Sequence, residues 1–207
     1  MDLTVNVFGQ IRDLTQQFID TVPELPETYK RNIQQYIEPR HTEHIYQCYK
    51  QFVTCAHQQQ FDKIIDIGSG INFAKMLDTN ITTSNPVGRG VGLNEHFHYI
   101  NKHLNTPTDI RLFDIQTHDN WIETDQQYNL IFVHRFWPWP GLPYPDIIYK
   151  RFIKETNRIL AADGQLWFYT NDRQTFLHKT GPLPFHPIMR ETFVIEKTLL
   201  QTIADTL

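Results

Sequence analysis

Phe61-Asp62-Lys63-Ile64-Ile65-Asp66-Ile67-Gly68-Ser69-Gly70 is an apolar run that carries one acid and ends on two glycines. Ile64 to Ile67 predict a short strand buried on both faces, the kind that parallel sheets contain. Gly68 and Gly70 supply a tight turn and bare backbone that a ligand can approach closely, and a helix is expected from Ile71 to Leu77. A buried strand opening through glycines into a helix places a nucleotide-cofactor loop in an α/β protein. The dinucleotide fingerprint G-x-G-x-x-G requires a glycine at 73, where this chain has Phe73.

Asp66, two residues before the first glycine, makes the segment resemble motif I of the class I S-adenosylmethionine-dependent methyltransferases, hydrophobic-hydrophobic-acid-x-G-x-G. The segments that follow resemble that family in the same order. Val91-Gly92-Leu93-Asn94 looks like the end of strand two, with Asn94, or Glu95 beside it, where the family has an acid on the ribose hydroxyls. Ile110-Arg111-Leu112-Phe113-Asp114 resembles strand three, and Tyr128 to Val133 strand four. Arg158 to Phe168 resembles the R-V-L-K-P-G-G-x-L-x-F junction into strand five. The resemblance covers residues 58 to 172 and reaches no subfamily. It implies S-adenosylmethionine as cofactor, held by Asp66, Gly68, Ser69, Gly70, Asn94 or Glu95, and Asp114, the last facing the adenine amino group. Two departures stand out: Asn72 replaces a third glycine, in a residue type that tolerates left-handed backbone, and Asn94 is a neutral ribose partner.

A chain of 207 residues fits one domain of ordinary size. Lys+Arg 19 against Asp+Glu 23 gives a formal charge of −4, so no global basic field draws it to nucleic acid or anionic membrane. No apolar run approaches the ~20 residues of a membrane span. Met1-Asp2-Leu3-Thr4 lacks the basic start of a signal peptide, so a soluble cytoplasmic protein is expected. Cys48 and Cys55 lie on one predicted helix roughly 10 Å apart along its axis, too far to bridge, and are expected as thiols.

The amino-terminal residues 1–57 read as helices packed on the same domain as residues 58–207. Phe8, Ile11, Leu14, Phe18 and Val22 form one apolar stripe, Tyr29, Ile33, Tyr36 and Ile37 a second up to Pro39, and a third helix runs from a Thr42 cap through Ile45, Tyr49, Phe52 and Ala56. Thr79 to Gly90, rich in turn formers, reads as a surface loop.

His134-Arg135-Phe136-Trp137-Pro138-Trp139-Pro140-Gly141-Leu142-Pro143-Tyr144-Pro145 follows strand four and therefore overhangs the carboxyl edge of the sheet, where ligands bind. Its aromatics and prolines make a stiff wall, with Trp137, Trp139 and Tyr144 as substrate contacts. The position equals that of the Asp/Asn-Pro-Pro-Tyr motif of amino-directed nucleic-acid methyltransferases, but the leading acid or amide is missing. His134 is the candidate general base, since imidazole titrates near neutrality, and Arg135 the candidate anchor for an anionic group.

No metal site is expected: His41, His44 and Cys48 span two helical turns, and His96, His98 and His103 read as a solvated helix face. The fold expected is a three-layer α/β sandwich of class I methyltransferase type, with a mostly parallel seven-stranded sheet. The activity expected is methyl transfer to an oxygen or nitrogen of an unidentified small molecule, protein or RNA. Its rivals are a catalytically inactive module of the same fold, serving binding or assembly, and a Rossmann dehydrogenase, against which Phe73 and Asp66 speak.

Overall fold

A computed structural model describes residues 3–22, 25–86, 93–112, 120, 127–134, 146–169, 177, 180–189 and 191–207. In chain order the elements are α1 (Leu3–Thr21), α2 (Glu27–Gln34) with a 3-10 turn at Gln35–Ile37, α3 (Pro39–Gln58), β1 (Ile64–Ile67), α4 (Phe73–Leu77), β2 (Thr82–Pro86) and α5 (Leu93–His103). There follow β3 (Ile110–Leu112), β4 (Tyr128–His134), α6 (Asp146–Ile159), β5 (Leu160–Tyr169), β6 (Thr192–Glu196) and α7 (Lys197–Thr206).

The run Ile64–Ile67, three isoleucines and Asp66, forms β1 with all four side chains buried. Because strand side chains alternate, it feeds two cores. Ile65 and Ile67 join Ile131, Val133, Leu166 and Phe168 against Tyr149, Phe152, Leu200 and Ile203 of α6 and α7. Ile64 joins Leu130, Phe132 and Trp167 against Phe52 and Ala56 of α3, with Ile11, Phe73 and Phe97. Phe52 stacks on Phe132 with centroids 3.8 Å apart and planes at 8°. Truncating such a ring to alanine costs about 3–5 kcal/mol, so α3 is fixed on the sheet rather than appended to it.

The strands run in the order β3-β2-β1-β4-β5-β6. All neighbours are parallel except β5 and β6. The sheet has six strands among the described residues rather than the seven expected. Beyond β6 lies a single antiparallel bridge, Phe185 to Phe193, closed by His186 N–H to Thr192 O at 2.8 Å and Val194 N–H to Pro184 O at 2.9 Å. Pro182, Pro184 and Pro187 have no N–H to donate, which holds this segment to one rung.

Three local expectations are corrected. Thr82–Pro86, read as part of a loop, is β2, with Thr83 and Ser84 fully buried. Its polar side chains are tolerated there because Ser84 Oγ donates to Asp66 O and Thr83 Oγ1 to Asp109 Oδ2, at 3.1 Å each. Leu93 and Asn94, read as a strand end, open α5, while Val91 and Gly92 lie outside the described residues. Helix α3 begins at Pro39, whose fixed φ suits the first turn, and Thr42 sits inside it, its hydroxyl donating to Tyr36 O at 3.3 Å.

Candidate functional site

The sheet order reverses between β1, whose chain continues to β2 on one side, and β4 on the other, so a crevice opens at the carboxyl ends of these two strands. Gly68 and Gly70 stand there with φ of 70° and 60°, backbone that glycine adopts without strain. The loop is bound to its own chain. Gly68 and Ser69 N–H donate to Ser84 O at 2.8 and 3.0 Å. Gly70 N–H donates to Asn85 Oδ1 at 2.7 Å, and Gly70 O accepts from Asn85 Nδ2 at 3.1 Å and Asn101 Nδ2 at 2.8 Å. Asn72 N–H donates to Asn101 Oδ1 at 3.0 Å, and Asn72 Oδ1 accepts from Ser69 Oγ at 2.8 Å. Asn72 has φ −74°, so it does not use the left-handed backbone anticipated for it; its side chain is what holds the loop. A Cβ on Gly70 would stand 3.3 Å from the Phe97 ring.

Asp66 shares the α3 face of β1 and is fully buried. The Tyr49 hydroxyl lies 3.5 Å from Asp66 Oδ1 and 3.3 Å from Ser69 O. Asp66 Oδ2 has no hydrogen-bond partner among the described residues. Burial pushes the Asp66 carboxyl well above the usual carboxylate range, opposed in part by the Tyr49 hydrogen bond. Tyr49 is raised in turn by burial and by Asp66.

His134 ends β4 on the same face, 7% exposed. Its ring lies 5.3 Å from that of Tyr49 and stacks on Tyr169 of β5 at 4.8 Å and 28°. The Tyr169 hydroxyl donates to Glu191 Oε2 at 3.0 Å, and Glu191 holds φ 64°, uncommon for a side chain of its kind. Asn94 and Glu95, on the first turn of α5, line a cleft of about 370 Å³ with Asn85, Pro86, His98 and Arg111. Both ribose candidates therefore face one space at the ends of β2 and β3. Asp114, Arg135, Trp137, Trp139 and Tyr144 lie outside the described residues.

Tyr49, Asn85, Asn101, Tyr169 and Glu191 carry no motif and were not among the residues singled out from sequence. The signal available for Tyr49 is its place on the apolar stripe of α3, where it reads as core. The supposed solvated histidine face is half right: His98 and His103 are exposed, but His96 is fully buried. His57 pairs with Asp78 at 2.7 Å. Among the described residues no cluster of three His, Cys, Asp or Glu is placed to hold a metal. No helix there is long and apolar enough to cross a membrane.

No protein-family model matches the chain, and no curated protein matches it. Among solved structures it is similar to the PH0226 protein of Pyrococcus horikoshii OT3, with 11% identity, TM-score 0.49, and coverage of 80% of this chain and 81% of that one. It is similar to the N-methyltransferase NodS of Bradyrhizobium japonicum WM9 at 13% identity and TM-score 0.44, over 76% and 79% of the two chains. It is also similar to the plantazolicin methyltransferase BpumL, solved in complex with a pentazolic desmethylPZN analogue and SAH, at 13% identity and TM-score 0.45, over 99% and 71%. At these values the likeness is one of outline, and the assignment below rests on this chain's own residues.

Proposed function

We propose that this chain is an S-adenosylmethionine-dependent methyltransferase acting on an oxygen or nitrogen nucleophile. The observation that carries the reading is the turn after β1: a loop at the switch point, glycines at positive φ, and its N–H groups already spent. A pyrophosphate needs free backbone donors at such a turn. Here Gly68, Ser69, Gly70 and Asn72 donate to Ser84, Asn85 and Asn101, which speaks against a dinucleotide. S-adenosylmethionine carries no phosphate; its ammonium and ribose diol call for acids and amides. The unpaired, buried Asp66 Oδ2 and the Asn94 and Glu95 side chains on the cleft wall fit those needs.

When bound, the cofactor supplies an electrophilic methyl group on a sulfonium. Asp66 takes the ammonium group. Asn94 or Glu95 takes the ribose hydroxyls, and Asp114 the adenine amino group. His134 receives the proton of the nucleophile, Arg135 holds an anionic part of the substrate, and Trp137, Trp139 and Tyr144 form its wall. Alignment alone carries much of such a transfer, so the base adds to a site already competent by positioning. Calorimetric titration with S-adenosylmethionine and S-adenosylhomocysteine tests this: saturable binding of both is expected, and binding of neither refutes the reading.

A second reading, a binding or assembly module without catalysis, is favoured by two observations: the Phe97 ring stands 3.3 Å from where a Gly70 Cβ would be, and the Tyr49 hydroxyl lies 3.5 Å from Asp66 Oδ1. It predicts that neither nucleoside binds.

A further inference from the structure

A buried carboxyl whose neighbours supply too few protons must bring its own. Between Asp66 Oδ1, the Tyr49 hydroxyl and Ser69 O stand two gaps, of 3.5 and 3.3 Å. The phenol has a single O–H to bridge them. If that proton points to Asp66, the Ser69 carbonyl loses its donor; if it points to Ser69, a fully buried bare carboxylate faces the phenol oxygen. A protonated Asp66 resolves both, donating to Tyr49 while Tyr49 donates to Ser69. The remaining oxygen, Asp66 Oδ2, is then a carbonyl oxygen without a partner, a far smaller cost than an unpaired carboxylate oxygen.

Among the described residues no lysine or arginine pairs with the carboxyl. On α3 the titratable group against Asp66 is Tyr49, itself neighboured by Cys48 and, from the 3-10 turn, Tyr36. On β4 it is His134, whose ring lies against Tyr49. From β2 the group is the Ser84 hydroxyl, which donates to the Asp66 backbone carbonyl. Among the described residues no ion pair reaches the carboxyl.

We propose that Asp66 is a neutral acid in the ligand-free protein, hydrogen-bonded through Tyr49 to the Ser69 carbonyl, and that it surrenders its proton to solvent when the ammonium group of the cofactor enters. Binding then exchanges one proton for one cation, and the O–H bond of Asp66 is the only covalent bond broken. This rests on the cofactor reading above and adds a regulation to it, since affinity rises with pH. The depth of Asp66 and the upward push of burial on its carboxyl agree with it.

The experiment is calorimetric titration of the whole chain with S-adenosylhomocysteine near neutral pH, in buffers of differing ionisation enthalpy. The dependence of the observed heat on the buffer counts protons released. A count above zero and at most about one is expected, with affinity rising up to about tenfold per pH unit below the Asp66 pKa. Methylthioadenosine, which lacks the amino acid portion, should bind with none released. Asp66→Asn should bind S-adenosylhomocysteine more weakly and release none. The infrared difference spectrum of the unsubstituted protein, bound minus free, should lose a protonated carboxyl band, a readout that needs no variant. Binding without proton release, release that persists in Asp66→Asn, or no loss of the band overturns the exchange alone. Absence of binding overturns it together with the cofactor reading.

Discussion

Two buried groups should make the stability of this protein respond to pH in opposite senses, hiding each other until one is removed. His96 is fully buried. Its Nε2 is 3.0 Å from Thr15 Oγ1, its Nδ1 has no hydrogen-bond partner among the described residues, and Phe18, Tyr36 and Phe97 surround it at 5.4 to 5.6 Å. Burial lowers its pKa from 6.5 to about 3. The unfolded chain therefore takes up a proton that the folded chain refuses. Stability from this group is intact above its unfolded value and falls with pH towards a limiting slope of about 1.36 kcal/mol per unit, about 2.7 kcal/mol in all by about pH 4.5. Asp66 behaves in reverse. Its folded pKa is raised, so its contribution is complete below its unfolded value and is lost as pH rises through the folded one, with the same limiting slope.

Where the two windows overlap, the slopes cancel. Urea unfolding at pH steps between about 4.5 and 6 should then show His96→Gln losing stability relative to the parent as pH rises, and Asp66→Asn gaining it, each at up to about 1.36 kcal/mol per unit. His186, also lowered by burial, drops out of each variant-minus-parent difference. A flat difference for Asp66→Asn would mean that the carboxyl is ionised in the folded protein. A flat difference for His96→Gln would mean that the imidazole takes its proton in place, and either result refutes the reasoning for that group.

Three further outcomes are expected at the site. Gly68→Val forces a β-branched side chain into φ 70° beside the crevice at the carboxyl ends of β1 and β4 and should abolish S-adenosylhomocysteine binding; unchanged affinity in a folded variant removes the loop from the proposed site. Asn94→Asp should strengthen cofactor binding, because an ionised acceptor makes hydrogen bonds about twice as strong as a neutral one. If Glu95→Gln weakens it while Asn94→Asp does nothing, the ribose partner is the neighbouring residue. Trp137→Ala or Trp139→Ala should cost about 1–3 kcal/mol of binding to a ring-bearing substrate and leave cofactor affinity alone, so a loss of cofactor affinity by calorimetry would contradict the assigned wall.

What the sequence made legible follows a physical division. β1 and β4 are apolar runs buried on both faces, and hydrophobicity marks them to within a residue: Ile64–Ile67 as read, and Tyr128–His134 against Tyr128–Val133. The stripes of α1 and α3 are visible because a helix half in water must alternate at its own period. β2 is buried only at Thr83 and Ser84 and is polar, and Thr82-Thr83-Ser84-Asn85 resembles a loop until its partners are known: Asp109, Asp66 and Gly70 are neighbours in space, not in sequence. Misplacing that strand displaced the expected strand-two end onto α5. The β-branched Ile81, Thr82 and Thr83 are the cue that remains, and it is weak beside four turn formers. At the site the motif residues Asp66, Gly68 and Gly70 were readable. Tyr49, Tyr169 and Glu191 were not, because each acquires its role from a contact across the carboxyl edge of the sheet.

The asparagines around Gly70 show how such a loop can be rigid without a ligand. Glycine carries the largest backbone entropy of any residue. Two of them at a switch point would leave the loop with many conformations, and a ligand would have to order it on arrival. Asn85 closes a two-way pair with the Gly70 peptide, Asn101 adds a bond to each of Gly70 O and Asn72 N–H, and Asn72 anchors the far side to Thr106 O at 2.7 Å. The ordering is done on folding, with the Phe97 ring 3.3 Å from where a Cβ on Gly70 would be. Such preorganisation lowers the cost of binding but uses up the donors that phosphate-bearing cofactors require. Recognition then passes to side chains around the loop. The carboxyls near it, buried Asp66 on β1 and Glu95 on the cleft wall, are those to which the proposed reading gives the cationic and hydroxyl groups of a ligand.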